Sequence, residues 1–326
     1  MRIAVVGGGA WGTALAAHCA RAALPVRLWV REPEVAEAVN ERRENTVYLP
    51  GLPLPEGLRA TPRLDEAVAD AETALVVVPS EFCRGIYRQL KALAPQGAIL
   101  VSATKGLEIE TLLRMSEVAA AEAAGHPVAA LSGPSFAAEV ARALPTAVVI
   151  AASDHDVAEA VQRSLATRSF RVYSSEDVVG VELAGALKNV IAIAAGIVDG
   201  LGYGHNTVAA LITRGLAEIT RLAVAEGARP DTLAGLAGLG DLVLTCTGGL
   251  SRNRMVGARL GQGLPLAEAS AGMHPEGVRT TLVACALAER RGIEMPIARQ
   301  MRAVLYEGKA PREALDELML RSLKRE

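Results

Sequence analysis

The side chain best suited to carry out chemistry is Lys188, which lies inside a long apolar run, Val178 to Val198. Only Glu182, Lys188 and Asn189 are strongly polar in those 21 residues, and no proline interrupts them, which predicts a buried helix. Lysine is scarce here, because five of the 34 basic residues are lysines. A buried lysine can lose its proton, whereas an arginine effectively cannot. The pattern therefore suggests for Lys188 a role that an arginine cannot fill.

Two structural explanations compete with that role. Lys188 can extend to the surface along its aliphatic stem, or it can form an ion pair with Glu182. The run is also long enough to span a membrane, but a glutamate and a lysine would be costly in lipid. A glycine-rich turn, residues 199–206, leads from it into a further helical pattern. We therefore predict the central helix of a soluble helical domain, with Lys188 facing inward.

The beginning of the chain carries a dinucleotide fingerprint in its required context. A short β-branched run, residues 2–6, is followed by Gly7-Gly8-Gly9-Ala10-Trp11-Gly12 and then by a helical pattern. Gly7 permits the tight turn, Gly9 lets the backbone approach a pyrophosphate, and Gly12 lets the helix and strand pack closely. The helix N-terminus offers unpaired N–H groups to the phosphates.

The second predicted strand, Pro25 to Val30, ends at Arg31 and Glu32. An acid at this place binds the ribose hydroxyls of NAD, whereas an arginine accommodates the 2′-phosphate of NADP. Because both residues are present, the sequence favours NADP (NADPH) and leaves NAD (NADH) open.

Further strand-like runs follow, separated at first by helical patterns, at Ala74–Val78, Ala98–Val101, Val128–Leu131 and Ala147–Ala151. This alternation predicts an α/β region with a doubly wound, largely parallel sheet. Ligands of such sheets bind beyond the carboxyl ends of the strands. The segments after those ends include Lys105 and the small-residue loop from Ser132 to Ala137.

The last strand signal is the run Phe170 to Tyr173, after which Ala/Leu helical patterns continue to the C-terminus. We predict a dinucleotide-binding domain over residues 1–174 and an all-helical, substrate-binding domain over residues 175–326. In the second domain, Ser251 suits an N-cap, and Arg252 beside it gives a helix start suited to a phosphate. An ordinary capped helix with a surface arginine is the alternative.

Bulk properties agree with a two-domain globular protein of 326 residues. The net charge of −2 gives no reason to expect a nucleic acid or an anionic membrane as partner. The four cysteines are scattered, without CxxC pairs, which indicates reduced thiols in a cytoplasmic protein and no metal site. The strand-like start predicts that there is no signal peptide.

Several longer motifs together resemble the NAD(P)-dependent sn-glycerol-3-phosphate dehydrogenase family over essentially the whole chain. They are GGGAWGTALA at Gly7–Ala16, YLPG at Tyr48–Gly51, ATKGLE at Ala103–Glu108, LSGPSFAAE at Leu131–Glu139, ELAGALKNVIAIAAGIVDGLGYGHNT at Glu182–Thr207, ALITRGLAE at Ala210–Glu218, GLGDLVLTCT at Gly238–Thr247, SRN at Ser251–Asn253 and EGVRTT at Glu276–Thr281.

The resemblance implies a Rossmann-type domain joined to an all-helical domain. It also implies reversible hydride transfer between NAD(P)H and dihydroxyacetone phosphate, which gives sn-glycerol 3-phosphate for phospholipid synthesis. The expected partners are this small phosphorylated substrate and, because the helical region is apolar, a second copy in a homodimer.

The same resemblance implies the site residues. Lys188 matches the general acid/base, and we expect Lys105 to lower its pKa. The substrate-binding positions are Lys105, Gly133, Ser135, Lys188, Asn189, Asp241, Thr245, Ser251, Arg252 and Asn253. The cofactor-binding positions are Gly7, Gly9, Ala10, Trp11, Gly12, Arg31, Tyr48, Lys105, Ala137, Arg252 and Glu276. Three departures from the family pattern are present: many members have Ser in place of Ala10, some have a second basic residue in place of Glu32, and His274-Pro275 replaces a more usual apolar pair before Glu276.

Three other classes of protein remain as alternatives. A β-hydroxyacid or ketoacid reductase would share the first domain and a helix-borne lysine, but it needs an anchor for a carboxylate. A non-catalytic NADP-sensing protein would have no evident use for Lys188 or for the Gly238–Asp241 loop. A membrane protein requires the run Val178–Val198 to span lipid.

Overall fold

The computed structural model describes residues 1–321, which form two compact units. The first unit consists of Met1–Lys105 and Leu113–Glu182, and the second of Gly106–Leu112 and the described residues from Leu183 onward. Residues 322–326, the end of the predicted helical domain, lie outside the described residues. The domain boundary after residue 174 stays a prediction.

The first unit is built on one eight-stranded sheet with the strand order β3-β2-β1-β4-β5-β6-β7-β8. All neighbouring strands are parallel except β6 and β7, which are antiparallel. The predicted mostly parallel sheet is therefore confirmed. Its strands are β1 (Ile3–Val6), β2 (Val26–Trp29), β3 (Arg59–Thr61), β4 (Thr73–Val76), β5 (Ile99–Ser102), β6 (Val128–Ser132), β7 (Thr146–Ala151) and β8 (Phe170–Ser175).

Side chains on both faces of the sheet are buried. Along β1, Ile3 and Val5 enter one apolar cluster, whereas Ala4 and Val6 enter the other. Successive side chains of a strand point to opposite faces, so helices must cover both sides. The helices of this unit are α1 (Ala10–Arg21), α2 (Pro33–Glu41), α3 (Leu64–Val68), α4 (Ser80–Leu93), α5 (Met115–Glu122), α6 (Ala137–Ala141) and α7 (His155–Leu165).

Helices make up the second half of the chain from α8 (Val178–Gly200) onward. They are α9 (His205–Ala225), α10 (Pro230–Ala234), a short π-helix (Leu236–Gly240), α11 (Asp241–Thr247), α12 (Arg252–Gly261), α13 (Leu266–Ala269), α14 (Glu276–Arg291), α15 (Pro296–Tyr306) and α16 (Pro311–Met319). The predicted architecture, a Rossmann-type sheet domain followed by a helical region, is confirmed.

Helix α8 is the predicted central helix. Every residue from Val181 to Val198 is buried. It is also the one continuous helix in residues 1–321 that is long and apolar enough to cross a membrane. The whole apolar window of α8 is covered by protein, as expected for a core helix, and Lys188 is 5% exposed. The inward orientation predicted for Lys188 is confirmed, and its alternative position at the surface is wrong.

The other alternative, an ion pair between Lys188 and Glu182, is also wrong. Glu182 accepts hydrogen bonds from the Arg114 guanidinium at 2.9 Å and from the Ser116 backbone N–H at 2.8 Å, and the Ser116 hydroxyl donates to it as well. These contacts fix the first turn of α8 to the start of α5. Because they occupy the Glu182 carboxylate, it is not the counter-ion of Lys188.

A second buried carboxylate, Glu218 of α9, sits at the start of α15. It accepts hydrogen bonds from the Ile297 backbone N–H, at 2.8 Å and 3.1 Å to its two oxygens, and from the Ala298 N–H at 3.4 Å. These N–H groups are unpaired in the first turn of any helix, so Glu218 satisfies them in place of a cap. Burial raises the pKa of Glu218 from 4.5 to about 7, although the backbone N–H groups oppose this shift.

We predict that Glu218 makes the stability of the protein depend on pH. Between its ordinary pKa of 4.5 and its folded pKa of about 7, the folded chain retains a proton that the unfolded chain releases. The free energy of unfolding should therefore fall as the pH rises through this interval, by at most about 3 kcal/mol from this group. Glu218→Gln keeps an acceptor for Ile297 and should lack this decrease.

Chemical denaturation across that pH range measures the effect. Glu268→Gln is the matched control, because Glu268 is exposed and its replacement should leave the wild-type pH dependence unchanged. Parallel pH profiles for the wild type and Glu218→Gln would contradict the prediction.

Candidate functional site

The loop between β1 and α1 has the geometry that close approach of a phosphate requires. Gly7 adopts φ +126°, and a Cβ there would lie 2.9 Å from the Val77 backbone. A Cβ on Gly12 would lie 1.8 Å from the Gly7 carbonyl oxygen, so side chains are sterically excluded at both positions. A Cβ on Gly9 would instead meet no described atom within 4 Å. The loop is closed towards the sheet and open above Gly9.

The residues present fit a dinucleotide. Gly9 is the N-cap of α1, and no side chain of the described residues caps the helix. The first N–H groups of α1 can therefore donate hydrogen bonds to a phosphate. The indole Nε1 of Trp11 is buried without a hydrogen-bond partner among residues 1–321. Ala10 occupies the first helical position. A bound cofactor would satisfy groups that the described chain leaves unpaired.

Asn45 is a buried residue of this loop region that sequence analysis did not identify. Its amide nitrogen donates to the Gly8 carbonyl and to the Thr13 hydroxyl, both at 2.8 Å. Its amide oxygen accepts from the backbone N–H of Tyr48 at 3.0 Å. Asn45 thereby ties the segment that carries Tyr48 to the glycine loop. The only signal in the sequence was an asparagine three residues before Tyr48.

Arg31 lies two residues after the end of β2, close to the predicted strand end, and its side chain is 72% exposed. It forms an ion pair of 2.8 Å with Glu32, whose carboxylate also accepts a hydrogen bond from the Tyr48 hydroxyl at 3.3 Å. Burial, followed by the charge of Glu32, raises the pKa of Tyr48. Arg31, Glu32 and Tyr48 are thus brought together, and Glu32 neutralises part of the positive charge of Arg31.

The segments after β5 and β6 also come together. The Lys105 ammonium donates to the Gly133 carbonyl at 2.8 Å, and the Ser135 hydroxyl donates to the same oxygen at 2.9 Å. Gly133 adopts φ +134°, and a Cβ there would lie 2.9 Å from the Val148 Cα. Ala137 begins α6 shortly afterwards. Lys105, Gly133 and Ser135 therefore form one polar cluster at the carboxyl ends of the strands.

The second unit contains Lys188 in a separate polar cluster. Its ammonium contacts the Asp241 carboxylate and donates to the Thr245 hydroxyl at 2.8 Å. The side chains of Lys188 and Asp241 are 6% and 1% exposed. The Thr245 hydroxyl donates in turn to the Asp241 carbonyl at 2.6 Å. A buried ion pair of this kind needs further hydrogen bonds to offset the loss of water, and Thr245 supplies one.

A local irregularity positions Asp241. The π-helix Leu236–Gly240 runs directly into α11, whose first residue is Asp241. A Cβ on Gly238 would lie 2.0 Å from the Leu233 carbonyl oxygen, so this tight turn requires glycine. Single π-turns inside helices occur frequently at functional sites. Sequence analysis identified Asp241 from the family motif but did not predict the π-helix.

The remaining predicted residues of this unit lie at helix starts or on α8. Ser251 caps α12 by accepting the Arg254 N–H at 3.2 Å, and the exposed Arg252 is the first residue of α12. Asn253 is buried and donates to the Asn189 amide oxygen at 2.9 Å. Glu276 is the half-buried first residue of α14. The predicted site residues thus fall into two groups, one in each compact unit.

Comparisons with known proteins identify the family. Residues 2–158 match the sequence model of the NAD-dependent glycerol-3-phosphate dehydrogenase N-terminus, and residues 177–316 match that of the C-terminus. The chain belongs to this family. A glycerol-3-phosphate dehydrogenase [NAD(P)+] of Geobacter sulfurreducens is 53% identical over 330 residues, covering 100% of this chain and 98% of that protein. Its counterpart from Nitratidesulfovibrio vulgaris is also 53% identical, with both chains fully covered.

A solved structure agrees with this assignment. The crystal structure of glycerol-3-phosphate dehydrogenase from Coxiella burnetii is 42% identical and has a TM-score of 0.94, covering 98% of this chain and 99% of that one. The family resemblance inferred from the motifs is confirmed, as is the class of enzyme, an oxidoreductase. NAD or NADP, the predicted cofactors, are those of the family. The roles of individual residues stay predictions.

The ion pair of Arg31 leads to a prediction about cofactor choice. Arg31→Ala should raise KM for NADPH about tenfold or more, and KM for NADH much less, because charge-assisted hydrogen bonds contribute about 1.5–3 kcal/mol. Glu32→Gln should lower KM for NADPH, since it releases Arg31 and removes a charge that repels the 2′-phosphate.

Steady-state kinetics with both cofactors at saturating substrate measure these constants. Arg63→Ala is the matched control, because Arg63 is an exposed arginine that is already paired with Asp65. Equal changes of KM for the two cofactors in Arg31→Ala would show that Arg31 does not distinguish them.

Proposed function

We propose that the chain catalyses the reversible reduction of dihydroxyacetone phosphate to sn-glycerol 3-phosphate, with Lys188 as the general acid and base. The observation that carries the proposal is the buried cluster of Lys188, Asp241 and Thr245. It occurs in a chain whose relatives at 53% identity are named glycerol-3-phosphate dehydrogenase [NAD(P)+].

The cofactor is NADPH or NADH, and we expect NADPH to be preferred. Gly7, Gly9, Ala10, Trp11 and Gly12 would hold the pyrophosphate at the start of α1. Arg31 and Tyr48 would contact the adenosine side, while Lys105, Ala137, Arg252 and Glu276 are the further cofactor-binding positions carried over from the family. When bound, the reduced nicotinamide supplies the hydride for the ketone carbon.

Lys188 would manage the proton that accompanies this hydride. During reduction, negative charge develops on the carbonyl oxygen of dihydroxyacetone phosphate, and the Lys188 ammonium gives that oxygen a proton. In the reverse direction, the neutral amine takes the proton from the hydroxyl of glycerol 3-phosphate. Asp241 and Thr245 support this role because their contacts hold the Lys188 ammonium in one orientation.

The phosphate of the substrate would bind at the start of α12. Ser251 and Arg252 combine a capped helix N-terminus, with its partial positive charge, and a forked cation that suits phosphate oxygens. Asn189 and Asn253 stand beside these residues as further substrate positions, and Lys105, Gly133 and Ser135 are the substrate positions of the first unit. Anchoring the phosphate would orient the ketone for reaction.

The proposed product is the precursor of glycerophospholipids, so we infer a role in phospholipid synthesis in the cytoplasm. We also propose that the protein forms a homodimer. The apolar helical second half of the chain supports this state, and sedimentation analysis at micromolar concentration tests it.

Replacing Lys188 tests the mechanism. Lys188→Arg keeps the charge but cannot readily shuttle a proton. We expect both Lys188→Arg and Lys188→Ala to reduce kcat about 10²–10⁴-fold, the usual contribution of general acid–base catalysis. Both variants should still bind NADPH, which fluorescence titration measures.

Lys91→Arg is the matched control, because Lys91 is exposed on α4 and its replacement should leave kcat unchanged. A near-native kcat for Lys188→Arg would end the assignment of Lys188 as general acid and base. In that case Lys188 would serve as a charge partner of Asp241, and the melting temperature would be the property most affected.

Replacing Arg252 tests the phosphate anchor. Arg252→Ala should reduce kcat/KM for dihydroxyacetone phosphate by about tenfold or more, and that for unphosphorylated dihydroxyacetone much less, because only the first carries the charge that Arg252 binds. Arg254→Ala is the control on the same helix, since Arg254 is already paired with Asp199 at 3.0 Å. A similar fractional loss on both substrates would remove Arg252 from the phosphate site.

A further inference from the structure

Helices α8 and α12 of the second unit pack against each other through their backbones. A Cβ added at Gly196 of α8 would lie 2.0 Å from the Arg254 carbonyl oxygen, and a Cβ added at Gly200 would lie 2.1 Å from the Ala258 carbonyl oxygen. The relation is reciprocal. A Cβ added at Gly257 of α12 would lie 2.0 Å from the Ile193 carbonyl oxygen, and a Cβ added at Gly261 would lie 2.5 Å from the Ile197 carbonyl oxygen.

These four glycines are two pairs, each spaced by four residues, so each pair lies along one helix face. The obstacle at every position is a backbone carbonyl of the other helix. Backbone cannot move aside as the end of a long side chain can. The distance between the α8 and α12 axes is therefore fixed at a value that only glycine permits.

A hydrogen-bonded bridge joins the same two helices next to the proposed catalytic residues. The Asn253 amide donates to Asn189 of α8 at 2.9 Å and accepts from the backbone N–H of Gly277 of α14, also at 2.9 Å. A Cβ on Gly277 would lie 2.6 Å from the Asn189 carbonyl oxygen. One buried amide thus holds three helices in register.

The sequence neighbours of these bridge residues carry the proposed chemistry. Asn189 directly follows Lys188, and Asn253 directly follows Arg252. The bridge therefore connects the residue after the proposed proton donor with the residue after the proposed phosphate anchor. Further along both helices, the glycine contacts between α8 and α12 fix how closely the two helices approach.

We propose that the α8–α12 crossing acts as a ruler for the substrate, with the four glycines as positioning residues and the Asn253 bridge holding the helices in register. It sets the distance from Lys188 to the Arg252 end of α12, and so selects ketones that carry a phosphate at one separation from the carbonyl. This inference rests on the proposed function, because it assigns Lys188 to the carbonyl oxygen and Arg252 to the phosphate.

The physical basis is that a substrate held at both ends tolerates little change in the distance between its anchors. Misplacement by about 1 Å can cost about a hundredfold in rate. A methyl group between α8 and α12 must push the helices apart, which moves the phosphate anchor relative to Lys188 without removing either residue. Loss of the phosphate preference, while proton transfer continues, is the specific sign of a changed distance.

The test uses Gly261→Ala, which has the mildest of the four clashes, together with Gly257→Ala. For each variant, kcat/KM is measured for three ketones at saturating NADPH: dihydroxyacetone phosphate, unphosphorylated dihydroxyacetone, and the homologue with one more methylene between carbonyl and phosphate. We expect the ratio of kcat/KM for dihydroxyacetone phosphate to kcat/KM for dihydroxyacetone to fall about tenfold or more, because the phosphate anchor is displaced. The ratio of kcat/KM for the longer homologue to kcat/KM for dihydroxyacetone phosphate should rise.

Gly215→Ala is the matched control for a purely structural effect. A Cβ there would lie 2.7 Å from the Ile191 side chain, so it disturbs the packing of α8 without entering the α8–α12 crossing. We expect it to lower the melting temperature and to leave both substrate ratios unchanged.

The outcomes separate the two proposals. If the crossing variants lower activity on all three ketones by the same factor, as expected for general destabilisation, the ruler is wrong and the proposed function is unaffected. If Gly215→Ala changes the ratios as much as Gly261→Ala does, the ruler is likewise wrong. If the wild type itself shows no preference for the phosphorylated ketone, the proposed phosphate anchor is wrong, and the ruler is wrong with it because it requires that anchor.

Discussion

The buried contact between Lys188 and Asp241 is the interaction on which the second unit depends. Removing two charges from water is expensive, and their mutual attraction compensates only when the geometry is good and other hydrogen bonds are made. Leaving either charge without its partner would cost about 3–5 kcal/mol. On α8 from Val181 to Val198, the strongly polar residues besides Lys188 are Glu182 and Asn189, and neither is its ion-pair partner. The π-helix that precedes Asp241 and the hydroxyl of Thr245 therefore both help to stabilise a buried lysine in α8.

Close approach of backbones is the second constraint, and both units use it. In the first unit, Gly12 lets α1 begin directly against the end of β1, where any side chain would strike the Gly7 carbonyl. In the second, glycines let α8 and α12 touch. In each case the residue without a side chain stands next to the residues that are proposed to bind ligand. Steric fit of the main chain thus positions the polar groups, which themselves contribute only a few contacts.

Most of the fold could be predicted because the signals were local. Apolar strand runs and the fingerprint from Gly7 to Gly12 depend on neighbouring residues, and seven of the eight strands were recognised in this way. Strand β3 was missed because it has three residues, Arg59–Thr61, with only Ala60 buried. The antiparallel pairing of β6 and β7 was missed because strand direction is set by the connection between strands, not by their composition.

The site was predicted only in part, for a related reason. Residue types and family motifs indicated Lys188, Asp241 and Thr245, and they suggested that Asp241 orients either Lys188 or the substrate hydroxyl. No local pattern decided between these two partners, because Asp241 lies 53 residues further along the chain than Lys188. Glu182 was the nearer carboxylate in sequence and the wrong partner, because Arg114 and Ser116 bind it. Asn45 gave almost no signal, since its importance comes from contacts with Gly8 and Thr13 more than thirty residues away.

The same ion pair sets the conditions for the proposed chemistry. Burial alone favours the neutral amine of a lysine, whereas a carboxylate in contact favours the ammonium. In the proposed mechanism, contact with Asp241 would favour the ammonium of Lys188, the form that donates a proton in the reduction of a ketone. The neutral form needed for the reverse reaction must be reached against this attraction. A developing negative charge on the substrate oxygen competes with Asp241 for the same ammonium, so the proton moves more easily when that charge appears. In the proposed mechanism, the Asp241 carboxylate would thus stabilise the Lys188 ammonium before reaction, and the proton would pass to the substrate oxygen once negative charge develops there.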